Sequence, residues 1–176
     1  TWPDDADKRV EIWKRQYRSK ISPQSLDLLW QASHEVVAVA ARIFKFHLVI
    51  HNVCMVCKEA VETLEHCFFT YSHAIPLWDA IFIIIQELKH LTNRQLMYLD
   101  IPTSNKYTFN FKSIIVSEAI YTIWQARNKA VFKEETTSPE TLIARFWYKI
   151  KIRLKCDKAK LNSQEFDKTW AILNLV

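Results

Sequence analysis

Residues 111–161 read FKSIIVSEAIYTIWQARNKAVFKEETTSPETLIARFWYKIKIRLKCDKAKL. The stretch holds two long helical runs, Phe111–Lys133 and Pro139–Leu161, and Ser138-Pro139-Glu140 opens the second. Ser before Pro before an acid is a start signal. The hydroxyl caps free N–H groups, the missing N–H of Pro costs nothing in a first turn, and an acid suits the positive end of the helix dipole. In the second run Ile143, Trp147, Ile150, Leu154 and Leu161 keep one face apolar.

The same period governs the rest of the chain. Upstream, Thr103–Asn110 reads as a polar connection, and His73–His90 as one long apolar helix. That helix has Pro76 in its first turn and Leu77, Trp78, Ile81, Ile84, Ile85 and Leu88 facing inward. Ser22-Pro23 opens a helix bearing Leu26, Leu29 and Trp30, and a short helix is expected over Val36–Phe46. At the start, Asp4, Asp5 and Asp7 precede Val10, Trp13 and Tyr17 at helical spacing. Downstream, Asn162 and Glu165 have capping-box spacing. The texture changes at His51–Cys57, which is β-prone and turn-like, before an acidic helical stretch from Val61. The expected fold is all-α with a small irregular module near residues 48–72. Residues 1–100 form a helical region containing the module. Residues 101–176 form a C-terminal helical region with a basic helix, packed on the first as one unit.

Composition narrows the function. The 176 residues include no glycine, where roughly 12 would be expected at the usual ~7%. Gly-rich phosphate loops, nucleophile elbows and glycine helix caps are thereby removed, and with them the common nucleotide-binding α/β enzymes. The net charge is +5, and residues 141–176 alone hold eight Lys/Arg against three acids. Such a stripe attracts polyanions, nucleic acid first, unless it is simply a solvated helix face. The longest apolar run, Ala80–Ile85, is far too short to span a bilayer.

Of four cysteines, two form Cys54-x2-Cys57, with His66 eight residues beyond. Zinc takes thiolate and imidazole ligands tetrahedrally, and this spacing offers two sulfurs from one turn and a nitrogen from the following helix. The fourth ligand is open. A Cys five residues after His66 would complete the set, but that position is Tyr71, a phenol that stays protonated near neutral pH. Cys67 points about 100° away from its neighbour His66 on a helix. His73 can swing in if the helix breaks at Tyr71-Ser72, or water can fill the place. Against the metal stands the plain alternative that cysteines are among the most buried residues.

The motifs occur in an order that resembles the zinc-binding region downstream of the reverse transcriptase in non-LTR (LINE-type) retrotransposons. The resemblance runs through Ile12-Trp13-Lys14, Ile21-Ser22-Pro23, Leu28–His34 and Ala41-Arg42-Ile43. It is strongest at Cys54-Met55-Val56-Cys57, Glu62–Phe69 and Ala74–Trp78. Ala119–Phe132 is similar to the helix that follows the module in that family, with its paired Arg127-Asn128. The resemblance implies a zinc module on a helical scaffold, with Cys54, Cys57 and His66 as ligands and His73 as substitute fourth. Three positions depart: Glu35 where the family has Gly, Ala38 where it has Pro, and Tyr71 at the fourth ligand. This fits a diverged or domesticated copy.

What the resemblance implies is binding of RNA or DNA rather than catalysis. No reverse-transcriptase carboxylate motif is readable, and no Ser/His/Asp order, so an enzyme is not expected. Arg145, Lys149 and Arg153 line one flank of the last long helix, and Lys151, Lys155 and Lys158 another. A second basic patch comprises Lys8, Arg9, Lys14, Arg15, Arg18 and Lys20, with Tyr17 placed to stack on a base. The tryptophans at 13, 30, 78, 124, 147 and 170 read as core, as does His34 as a packing histidine. The rival expectation is a metal-free helical module that binds a protein partner or itself, effector-like in use. Cysteine usage suggests an intracellular setting, nuclear or cytoplasmic; a start at Thr1 without Met leaves a secreted form open.

Overall fold

The structure, a computed structural model, describes residues 6–171 and 173. The helices are α1 (Ala6–Arg18), α2 (Pro23–Ser33), α3 (Ala40–Phe44), α4 (Ala74–Ile84), α5 (Asn93–Met97), α6 (Lys106–Lys133), α7 (Pro139–Lys160) and α8 (Ser163–Trp170). A π-helical turn, His66–Thr70, precedes α4, and a 3-10 turn, Gln86–His90, follows it. Among the described residues there is no strand, only an isolated antiparallel bridge between Val53 and Val61. The all-α expectation with one irregular module holds.

The start signals work as their chemistry requires. Ser22 and Ser138 accept hydrogen bonds from Ser25 N and Thr141 N, each before a proline, and Asn162 accepts from Glu165 N. Asp4 and Asp5, expected at the start of α1, lie outside the described residues.

Four boundaries differ from expectation. The helix expected over Val36–Phe46 is only α3: Val39 before it is extended, and Val37 is buried in the bend that leads there. The helical stretch expected from Val61 begins only at Leu64, because Glu62 is drawn into the interior by an ion pair. The long helix to His90 breaks at Ile85 (φ −125°), and Thr92 restarts the chain with a full capping box to Gln95. The polar connection ends early because Asn105 accepts from both Tyr107 N and Thr108 N, which starts α6 at Lys106.

Helix α6 is the axis of the molecule. Phe111, Ile115, Val116, Ala119, Ile120 and Ile123 are fully buried, with α2, α7 and α8 packed around them. One continuous core joins these residues to Leu28 and Leu29 of α2, Leu77 and Ile81 of α4, and Leu142 and Phe146 of α7. Trp170 of α8 closes one end edge-on to Phe111 at 5.7 Å, and its indole N–H donates to Asp157. Trp78 is buried and Trp124 and Trp147 are partly so, but Trp13 and Trp30 of α1 and α2 are half-exposed, contrary to their reading as core. They sit on the outer face of an edge pair of helices that no further element covers among the described residues. His34 is likewise exposed, its ring against Trp30 and its Nδ1 on the Trp30 carbonyl.

Glycine's absence does not remove the turns that glycine usually makes. Glu35, His47, Lys58, Leu99 and Glu134 all take left-handed backbone, with φ between 53° and 59°. Glu35 follows α2 and is flanked by Val36 N–H to Gln31 C=O and Glu35 N–H to Ala32 C=O, the double closure of a left-handed helix stop. His47 after α3 and Leu99 after α5 repeat the pattern, through Leu48 to Ile43 and Asp100 to Gln95. The caps are present; only the residue that would make them without strain is missing.

Candidate metal centre and basic surface

The knuckle is a small hairpin held by its own backbone. Cys54 N–H donates to Ala60 C=O, Glu62 N–H to Asn52 C=O, and Lys58 N–H back to Cys54 C=O. Lys58 in the left-handed region lets the chain reverse directly after Cys57. The π-helical turn then brings His66 opposite, closed by Tyr71 N–H to His66 C=O at 2.8 Å. Such turns are often found at functional sites.

Among the described residues, Cys54, Cys57 and His66 form a group whose ligand atoms all lie within 4.8 Å of one another. His66 Nε2 is 3.5 Å from Cys57 Sγ. Tetrahedral zinc with ordinary bond lengths separates a sulfur from a nitrogen by roughly 3.5 Å, so the pair has the span a metal needs. His66 Nδ1 lies 3.3 Å from Thr70 Oγ1, a contact that orients the ring and leaves Nε2 for the ion. Burial pushes the Cys54 thiol up, with backbone N–H groups of Cys57 and Val56 opposing. At Cys57 burial also acts upward, but the N–H groups of Ala60 and Glu59 and the Cys54 thiol outweigh it, and the thiol lies below its ordinary range. A turn that points N–H groups at a sulfur favours thiolate, the form that binds metal. The donor set fits a divalent soft-ligand ion.

His73, expected as the substitute fourth ligand, is not part of this group of converging atoms. The chain turns extended at Tyr71, and His73 starts α4 with its Nδ1 buried and without a hydrogen-bond partner among the described residues. Cys67 faces the core, and burial drives its thiol strongly up, so it stays protonated. Tyr71 is buried beside the group, 6.4 Å ring to ring from His66; burial first, and then the neighbouring cysteines, push its phenol up. The residue at the family's ligand position is therefore near the site and neutral.

Glu62 is the residue that sequence reading missed. It is buried, accepts from Arg127 Nε and Nη2 at 2.8 and 2.6 Å, and accepts from Ala40 N–H at 2.6 Å. Its carbonyl also takes Ala41 N–H. Arg127 turns its remaining nitrogen to Asn128 Oδ1, the buried hydrogen-bond set expected of the Arg-Asn pair. One carboxylate thus ties the knuckle, the start of α3 and the C-terminal part of α6 together. Its only signal was the middle one of three acids, Glu59, Glu62 and Glu65, before an apolar stretch, with its arginine 65 residues on.

The six basic residues singled out on α7 divide into two kinds. Lys149 is drawn inward to Glu118, Thr122 and Gln125, over the Tyr121 ring. Arg153 pairs with Asp157 and donates to the Lys20 carbonyl, and Arg145 reaches Thr137 Oγ1. Lys151, Lys155 and Lys158 stand exposed, with no ion pair among the described residues. In the second patch Arg15 bonds Asp100 and Glu11, while Lys14, Arg18 and Lys20 line an open cleft with Lys106. The side chains of Lys8 and Arg9 lie outside the described ones.

Fold and site together define a helical fold, built around α6, that carries a Cys-Cys-His knuckle. Residues 3–78 match the family described as zinc-binding in reverse transcriptase (zf-RVT). The match ends in α4, short of half the chain. No curated protein and no solved structure matches the chain. No helix of the described residues is long and apolar enough to cross a membrane.

Proposed function

We propose that the protein is a non-catalytic nucleic-acid-binding module of retrotransposon descent, held by a zinc ion on Cys54, Cys57 and His66. The observation that carries the reading is the convergence of these three side chains within a segment of the reverse-transcriptase zinc-binding family. When bound, the ion cross-links the hairpin to the π-helical turn. The exposed stripe Lys151, Lys155 and Lys158 supports contact with phosphates along α7. Natively purified protein should contain about one zinc per chain by mass spectrometry, and Cys57→Ser should lose it. Affinity for a labelled RNA should fall steeply with salt, and reversing Lys151, Lys155 and Lys158 to Glu should weaken it by at least tenfold. Binding unchanged by that reversal and insensitive to salt sinks the proposal.

A second reading rests on a different observation. Phe46, Leu48, Ile50 and Met55, beside the knuckle, are exposed, Leu48 at 73% and Ile50 at 85%. Apolar side chains clustered in one surface segment mark a contact with protein. Sedimentation of the wild type and of Leu48→Glu/Ile50→Glu separates self-association from a monomer.

A further inference from the structure

The C-terminal half of α6 and the N-terminal half of α7 enclose an open cleft of about 570 Å³. Its lining carries Lys129, Lys133, Arg145 and Lys149 and no acid; Glu134 and Glu135 of the connection are not among the lining residues. Lys149 is paired with Glu118, which is not among the lining residues, so it fixes the wall without adding net charge. Lys129 and Lys133 have no ion pair among the described residues, and Arg145 has only the Thr137 hydroxyl.

The same cleft carries two aromatic rings in the open. Phe132 is 76% exposed and Tyr148 66%, among the most exposed large side chains of the described residues. Each stands beside cations: Phe132 precedes Lys133, and Tyr148 lies between Arg145 and Lys149 in the lining. Neither ring is needed by the core, which α6 and α7 complete through Ile123, Leu142 and Phe146. Exposed rings beside unpaired cations, with no acid between them, make a poor surface for a second copy of this basic chain. They suit a flexible polyanion with flat, unpaired rings of its own.

We infer that the α6–α7 cleft binds single-stranded nucleic acid, with bases stacking on Phe132 and Tyr148 and phosphates against Lys129, Lys133 and Arg145. This deepens the nucleic-acid reading above and rests on it. A duplex keeps its bases stacked on each other, so the rings discriminate strand state, whereas the α7 stripe responds to charge alone.

The test uses the full chain and fluorescence anisotropy with a labelled 12-nucleotide oligouridine, the same length of duplex RNA, and polyglutamate of similar charge. Phe132→Ala/Tyr148→Ala should weaken oligouridine binding by roughly tenfold or more, with the salt slope and duplex binding little changed. Phe132→Trp should retain or tighten it, and Lys129→Glu/Lys133→Glu should weaken it and flatten the slope. All positions except half-buried Lys129 are exposed, and an unchanged circular dichroism melt checks that each variant folds. If the ring variants bind like wild type while reversal of Lys151, Lys155 and Lys158 abolishes binding, the cleft inference falls and the function stands. If no variant alters binding, both fall. Polyglutamate binding as tightly as oligouridine, regardless of the rings, also overturns the inference in favour of an acidic protein partner.

Discussion

Glu35 occupies a backbone position that glycine fills at no steric cost, and the resemblance places Gly there. A non-glycine residue in left-handed backbone costs about 1–2 kcal/mol, partly offset by the ~0.5–1 kcal/mol of extra chain entropy that glycine itself must lose. The Arg42 guanidinium that donates to the Glu35 carbonyl is indifferent to the side chain. Glu35→Gly should therefore raise stability by about 0.5–1 kcal/mol, read as a higher urea midpoint at unchanged slope. Glu35→Ala should give no such gain, which separates backbone relief from loss of a carboxylate. A gain shared by both variants would refute the backbone explanation. The absence of glycine was plain in the composition; that five turns keep the shape glycine serves was not. Sequence shows which residue types are missing, but not which dihedral angles the surrounding hydrogen bonds impose.

At the scale of elements, the decisive contact joins the knuckle to α6 through Glu62 and Arg127. Removing one partner of a buried ion pair leaves the other charge without compensation and typically costs about 3–5 kcal/mol. Glu62→Leu and Arg127→Met should each destabilise the fold by that order, while the double variant should lose clearly less than their sum. Additive losses would mean that the two groups act on separate contacts. The helices were legible wherever local chemistry decides them, as at Ser22-Pro23 and Ser138-Pro139. They were misread wherever a distant partner decides. Glu62 looked helical because the stretch after it is, and only distant partners, Arg127 and the Ala40 N–H, make a buried carboxylate outside the helix the better state. The break at Ile85 was hidden because apolar residues suit a continued helix as well as a bend over the core. Cys54, Cys57 and His66 were legible because knuckle spacing is set by ligand geometry. The fourth position was not, since it depends on the chain's exit from a π-helical turn.

For the whole molecule, metal binding is coupled to folding only in part. The core around α6 extends well beyond the knuckle, through Phe111, Leu142, Phe146 and Trp170, and the hairpin has its own backbone bonds. Zinc at about a hundredfold excess over its dissociation constant should add about 2.7 kcal/mol to stability, raising the melting temperature in a concentration-dependent way. A chelator should reverse that shift while far-ultraviolet circular dichroism stays helical. Complete unfolding on chelation would instead place the metal at the centre of the fold. The tie between Glu62 and Arg127 has another reach. The stretch shared with the family stops inside α4, yet the carboxylate within it finds its counter-charge only in α6. Resemblance and autonomy are drawn along different lines here: an excised copy of residues 1–100 would carry the whole matched segment, with a buried anion that has lost its cation. Such a fragment should aggregate or remain unfolded even when supplied with zinc. Transplanting the knuckle into another protein would have to bring the arginine-bearing helix with it.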